Sequence, residues 1–171
     1  MKIRPLSRIM ITALFFSCLS GALIGAQESE ARIIKAYEEL SDPLVSKEKL
    51  VNSLVEFLDI ALILTASSEY SNEIEHHIDV AKNLFRNSSL FNDKARQYLS
   101  LAYRMVTGGI KYQKPPQLDE FVTPDEAQKK AFKYANKLVE DALSSVKRGN
   151  DGDAARLILE LVLLVVTPIS G

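Results

Sequence analysis

The sequence has few of the residues on which most catalytic and metal-binding sites depend. Its 171 residues include one cysteine, two histidines and no tryptophan. One cysteine cannot form a disulfide within the chain, so stability in an oxidising compartment would have to come from the hydrophobic core. The sequence also lacks a glycine-rich phosphate loop and a Gly-x-Ser-x-Gly nucleophile elbow. The sequence therefore carries none of the usual signatures of nucleotide-binding proteins, thiol enzymes or serine hydrolases.

The N-terminus has no negative charge and is instead basic and then apolar. Acidic residues are absent before Glu28, and the first eight residues include three basic ones, Lys2, Arg4 and Arg8. An apolar run over residues 9–24 follows and ends in the small residues Gly25 and Ala26. This is the layout of a secretory signal peptide. We therefore expect residues 1–26 to direct export to a periplasm or to the cell exterior.

Three alternatives describe how this segment is processed. Cleavage after Ala26 is the main expectation, although Ile24 then occupies a position where a small residue is preferred. The second alternative is lipoprotein processing at Cys18, although the residues that follow it are mostly apolar and a lipid tether is usually polar. The third is an uncleaved anchor, but the apolar run is shorter than the ~20 residues that a spanning helix needs. Membrane attachment is therefore expected only if Cys18 carries lipid.

The net charge of the exported chain also argues against nucleic acid as a partner. Removal of residues 1–26 takes away three basic residues and no acidic one, so the net charge goes from −1 to −4. A mildly acidic chain lacks the electrostatic attraction for phosphate on which nucleic-acid binding depends. Residues 27–171 are long enough for one domain and too short for two. We expect a single domain that does not bind nucleic acid.

The exported chain has helical periodicity throughout, without the alternation typical of strands. Proline, glycine and capping residues separate the apolar stripes into segments. The predicted helices cover approximately residues 28–40, 47–66, 69–86, 92–106, 124–148 and 151–166. The expected fold is all-α, with five to six helices in a four-helix-bundle-like core with flanking helices.

The last predicted helix is the most apolar part of the exported chain. The run from Leu157 to Val166 has ten residues and contains one charged residue, Glu160. It is too short to span a bilayer. A C-terminal lipid-anchor signal is a second interpretation, but a charge within the apolar tail argues against it. We expect a buried helix in which Arg156, one turn earlier, pairs with Glu160.

The two histidines are the only candidates for metal chemistry in the exported chain. His76 and His77 are adjacent, and adjacent side chains on a helix point about 100° apart, so the pair cannot chelate one ion as residues at i and i+4 do. Glu73 and His76 form a Glu-x-x-His pattern, which di-iron bundles use twice and this chain has once. Together with Asp59, these residues are the candidate metal ligands.

The spacing of Asp59 and His77 predicts a contact between them. His77 follows the apolar stripe of its helix, whereas His76 points outward. Asp59 lies nine residues before a turn near Ser68, and His77 lies nine residues after it. The two side chains would meet in an antiparallel hairpin. We favour a buried hydrogen bond as the role of this pair, and an acid–base or metal-binding pair is the alternative.

No residue pattern indicates catalysis, and no catalytic or cofactor-binding residue is predicted. The expected function is that of an exported, non-enzymatic binding or interaction protein with a protein partner in the cell envelope. The alternative is a helical-bundle metal- or cofactor-binding protein centred on His76 and His77. An exported enzyme without a recognisable motif is a third alternative.

The first prediction concerns processing. Because the signal-peptide pattern ends at Ala26, the exported protein should begin at Gln27, or at a lipidated Cys18. Mass spectrometry of protein recovered from outside the cytoplasm measures this directly. A mass that still includes residues 1–17 would contradict both forms of processing.

Overall fold

The computed structural model describes residues 25–115 and 124–168. Cys18 and nearly all of the predicted signal peptide lie outside these residues. The described residues form six helices and no strand, which confirms the all-α prediction. The helices are α1 (residues 25–41), α2 (Lys47–Thr65), α3 (Ser71–Asn87), α4 (Asp93–Val106), α5 (Pro124–Lys147) and α6 (Asp151–Val166). None of them, within the described residues, is long and apolar enough to cross a membrane.

Side-chain caps and glycines set several of the helix boundaries. Ser46, Asn92 and Asn150 each accept a hydrogen bond from a backbone N–H in the first turn of α2, α4 and α6, respectively. These bonds satisfy N–H groups that have no partner within the helix. Gly108 and Gly149 follow α4 and α5 with φ angles of 67° and 69°, a conformation that favours glycine. Local sequence therefore determines where the helices begin and end.

The contacts between the helices place them in two layers of three. One layer has the order α1–α2–α3, and the other has the order α5–α6–α4. Helix α6 packs against α5 and α4 within its own layer and against α2 in the other. Helix α3 packs against α2 and α4. At the other side, α1 joins α2 through an ion pair between Arg32 and Glu56, and joins α5 through one between Glu30 and Lys147. The fold thus consists of two four-helix groups that share α2 and α6. One group contains α1, α2, α5 and α6, and the other contains α2, α3, α4 and α6.

Neighbouring helices in this arrangement run antiparallel. Along α1, Glu30 contacts Lys147 of α5, whereas Tyr37, two turns later, donates a hydrogen bond to Asn136, which lies earlier in α5. At the other side of the molecule, the guanidinium of Arg96 near the start of α4 donates to the carbonyl of Val166 at the end of α6. Antiparallel packing places short connections between successive helices at the ends of the bundle.

The core is centred on α6. Ten of its sixteen residues are buried, on all sides of the helix: Ala154, Ala155, Leu157, Ile158, Leu159, Leu161, Val162, Leu163, Leu164 and Val166. A helix that is apolar around its circumference is stable only when other elements surround it. The C-terminal apolar run is therefore a buried helix, as its sequence predicts.

The second prediction tests the assignment of buried faces in α2. Leu54 is fully buried, so Leu54→Ala should lower the free energy of unfolding by about 2–5 kcal/mol through lost burial and a cavity. The matched control is Ile63→Ala in the same helix, where the side chain is 52% exposed and the loss should be much smaller. Urea unfolding followed by circular dichroism gives both values, and similar losses would contradict this packing.

Candidate functional site: the α4 groove and the polar cluster beneath it

The predicted contact between Asp59 and His77 is wrong. Asp59 Oδ1 instead lies 2.6 Å from Nζ of Lys82. The connection between α2 and α3 spans residues 66–70 and is centred on Ser68, as the prediction assumed. Helix side chains lean toward the N-terminus of their own helix, so Asp59 on α2 points away from the connection, while side chains on α3 point back toward it. Asp59 therefore pairs with a residue more than one helical turn beyond His77. Burial alone would lower the pKa of Lys82, but hydrogen bonds to Asp59 and Asp79 raise it overall.

The two histidines lie beside an aromatic ring of the neighbouring helix. His76 is exposed and His77 is half-buried, as their positions on the helix predict. The His77 ring centroid is 5.7 Å from that of Tyr98 on α4 and 5.5 Å from that of His76. Burial lowers the pKa of His77, and His76 lowers it further, whereas Glu73 opposes the shift. The His77 ring is therefore favoured in its neutral form within the α3–α4 interface.

The candidate metal ligands do not come together in the described part of the chain. No group of three or more histidine, cysteine, aspartate or glutamate side chains there has the arrangement of a metal site. Glu73, His76 and His77 share α3, while the carboxylate of Asp59 binds Lys82. Nδ1 of His77 is buried and has no hydrogen-bond partner within residues 25–115 and 124–168.

An open groove of about 630 Å³ follows the outer side of α4. We call it the α4 groove. Its lining residues come from α4 and from the segment 107–115 that follows it. They are Asp93, Arg96, Gln97, Ser100, Leu101, Arg104, Lys111 and Tyr112. None of these residues belongs to a sequence motif, so their role in a groove was not predictable from the sequence.

Segment 107–115 is held against the bundle by its backbone turn and by one aromatic ring. The N–H of Gly109 donates to the carbonyl of Arg104 over 2.7 Å, and Gly109 has a φ of 106°, which reverses the chain. The ring of Tyr112 then packs edge-on against Tyr103 of α4, with centroids 5.8 Å apart. Pro115 is buried. One wall of the groove is therefore fixed to the core.

A network of charged and hydroxyl side chains lies between α5 and α6. The hydroxyl of Tyr134 donates to Glu160 over 2.6 Å, and Arg156 Nη1 donates to the other carboxylate oxygen over 3.0 Å. Arg156 also donates to Asp153, which accepts a hydrogen bond from Ser145 over 2.6 Å. The predicted pairing of Arg156 with Glu160 is confirmed. Tyr134 was missed, although a carboxylate within an apolar helix requires donors from neighbouring helices.

Tyr112 connects the groove to this network. Its hydroxyl is buried and has no hydrogen-bond partner among the described residues. Burial raises the pKa of Tyr112, and the charge of Glu160 adds to the effect. Burial and the hydrogen bond to Glu160 likewise raise the pKa of Tyr134. We call Tyr103, Tyr112, Tyr134, Arg156 and Glu160 the polar cluster. The raised pKa values keep these phenols neutral in the physiological range, and Tyr134 is the one that donates a hydrogen bond to Glu160 among the described residues.

The α4 groove, in contrast, contains cations with no partner in the described part of the chain. Arg96 is engaged by Asp93 and by the carbonyl of Val166. The side chains of Arg104 and Lys111 are exposed and make no hydrogen bond or ion pair with any described residue. The groove therefore has a positive end around these two residues. It can bind a charged ligand without breaking an existing ion pair.

No family model matches this chain, and neither the curated proteins nor the solved structures include a match to it.

The third prediction separates two of the hydroxyls in the polar cluster, those of Tyr134 and Tyr112. Tyr134→Phe removes a hydrogen bond to a carboxylate and should lower the free energy of unfolding by about 1.5–3 kcal/mol. Tyr112→Phe removes a hydroxyl that has no partner and should change that energy by less than about 0.5 kcal/mol or raise it. Denaturant unfolding at neutral pH measures both. A larger loss for Tyr112→Phe would contradict the described arrangement.

The fourth prediction concerns acid. Because the pKa of His77 is lowered in the folded protein, the unfolded chain binds a proton more readily, and stability rises with pH in this window. The free energy of unfolding should therefore fall as the pH drops below the ordinary histidine value of 6.5. Unfolding measured from about pH 5 to 8 should show a weaker dependence for His77→Gln than for the matched control His76→Gln. Equal slopes in the two variants would refute the assignment.

Proposed function

We propose that this protein is an exported helical-bundle binding protein of the cell envelope, and that its partner is another protein. Export rests on the basic and apolar N-terminal sequence that ends at Ala26. Attachment to a membrane would require a lipid on Cys18. In this proposal the helical bundle is a scaffold and the protein catalyses no reaction.

The α4 groove is the observation that carries the proposal. It combines an exposed apolar side chain, Leu101, with Arg104 and Lys111, two cations that no described residue pairs, on a surface that the bundle holds in place. Binding sites combine apolar contact with a few polar groups that orient the ligand. Tyr112 fixes the groove wall, so little ordering would be needed when a partner binds.

The metal-binding alternative on Glu73, His76 and His77 has less support. Asp59 is bound to Lys82, and three residues of one helix do not provide the ligands that a structural metal site uses. The interface proposal is therefore the one that we favour.

The fifth prediction tests this proposal by photo-crosslinking in the native host. A photoreactive phenylalanine analogue replaces Leu101 in the α4 groove or, as a matched control, Ile34 on α1. Both side chains are 40% exposed, so general accessibility does not distinguish them. Position 101 should give one discrete adduct in the envelope fraction, and position 34 should not.

Two results would contradict the proposal. The first is the same adducts from both positions, which would mean nonspecific proximity. The second is a protein that stays in the cytoplasmic fraction, which would remove the basis for an envelope partner.

A further inference from the structure

We propose that the α4 groove binds an extended, acidic peptide segment about five residues long. This inference rests on the proposed function and specifies the chemistry of the partner. The segment would carry an apolar side chain near its middle and carboxylates toward one end.

The charge of the groove favours a carboxylate ligand. Arg104 lies in the last turn of α4, and Lys111 is adjacent to Tyr112, whose ring packs on Tyr103 beside Arg104, which places both cations at this end of the groove. Neither side chain has a partner among the described residues. This positive end belongs to a chain whose net charge is −1, so it is a local feature and not a consequence of overall composition. Complementary charge guides association and fixes the orientation of the bound segment.

The other end of the groove differs in charge. Asp93 is paired there with Arg96, and so the α4 surface is close to neutral at that end. A segment with acidic residues at both ends would leave one of them without a cation. The carboxylates are therefore expected opposite Arg104 and Lys111.

The length of the groove sets the length of the segment. The lining residues of α4 extend from Asp93 to Arg104. At about 1.5 Å per residue, this part of the helix is about 16 Å long. An extended peptide advances about 3.3 Å per residue, so about five residues cover it.

The side chains along the groove explain the expected pattern of the peptide. Gln97, Leu101 and Arg104 are spaced i, i+4 and i+7, so they form one row along α4. Gln97 has an amide that can both donate to and accept from a peptide backbone. Leu101 offers apolar contact between Gln97 and the cationic end. From Gln97 to Arg104, this order favours a peptide whose backbone contacts Gln97, whose apolar side chain contacts Leu101 and whose carboxylates face the cationic end.

A nucleic acid fits the same groove less well. Two unpaired cations neutralise few phosphates, and nucleic-acid affinity rises with the number of phosphates neutralised. The aromatic ring in the groove, Tyr112, already packs against Tyr103 and is not free to stack on a base.

The experiment measures fluorescence anisotropy with the purified exported protein and two labelled pentapeptides. One is Gln-Gln-Leu-Glu-Glu and the other is Gln-Gln-Leu-Gln-Gln, which differs only in charge. The acidic peptide should bind at least about tenfold more tightly, and salt should weaken its binding. The charge-reversed double variant Arg104→Glu/Lys111→Glu should lose at least about tenfold in affinity for it.

The matched control is Lys129→Glu/Lys133→Glu, which makes the same charge change at two exposed positions of α5 and should bind the acidic peptide as the parent does. Thermal unfolding verifies that each variant is folded. If charge reversal disturbs folding, Arg104→Gln/Lys111→Gln replaces it and should also lose affinity.

Three results would overturn the inference. They are equal affinity for the two peptides, an equal loss in the α5 control, and tighter binding of a short thymidine oligonucleotide than of the acidic peptide. If position 101 still gives a discrete adduct in cells while the acidic peptide fails to bind, the proposed function stands and the acidic class is refuted. If position 101 gives no discrete adduct and the acidic peptide does not bind, the proposed function and the acidic class are both refuted.

Discussion

Helix α6 has to be covered on every side, because it is apolar around nearly its whole circumference. A single partner helix would leave most of that surface in water, where each exposed apolar side chain would cost about 1.5–3 kcal/mol. The chain meets this requirement by placing α5 and α4 on either side of α6 and α2 across from it. Helices α1 and α3 then cover the outer sides of α2. The two-layer arrangement is thus the means by which the most apolar helix is kept out of water.

One residue of α6 does not fit that apolar environment, and its requirements connect several elements. Glu160 is close to buried, and a carboxylate there is stable only when donors surround it. Arg156 supplies one donor from the same helix, and Tyr134 supplies another from α5. The charge of Glu160 also reaches Tyr103 on α4 and Tyr112 in the segment that follows. A polar residue in the central helix therefore helps to specify which faces of α4 and α5 point inward.

The local features of this fold were predictable from the sequence, and the long-range pairings were not. Helix boundaries follow from caps such as Ser46 and Asn92 and from Gly108 and Gly149, which act within one helical turn. The partner of Asp59 depends on the direction in which the side chains of α2 and α3 lean, and counting residues about Ser68 leaves that direction out, so the count indicates His77 in place of Lys82. The α4 groove depends on where segment 107–115 lies against α4. No periodicity encodes that position, because it results from the packing of Tyr112 on Tyr103.

The polar cluster and the α4 groove use charge in opposite ways, and Tyr112 belongs to both. In the cluster, Arg156 is bound by two carboxylates, so its charge is used in holding helices together. In the groove, Arg104 and Lys111 are exposed, so they contribute little to folding and their charge is available to a ligand. The charged side chains of the cluster and those of the groove therefore have different roles. The paired ions contribute to the stability of the bundle, whereas the exposed cations contribute little to it and are free to contact a ligand. For this reason we propose the groove, and not the cluster, as the site of recognition.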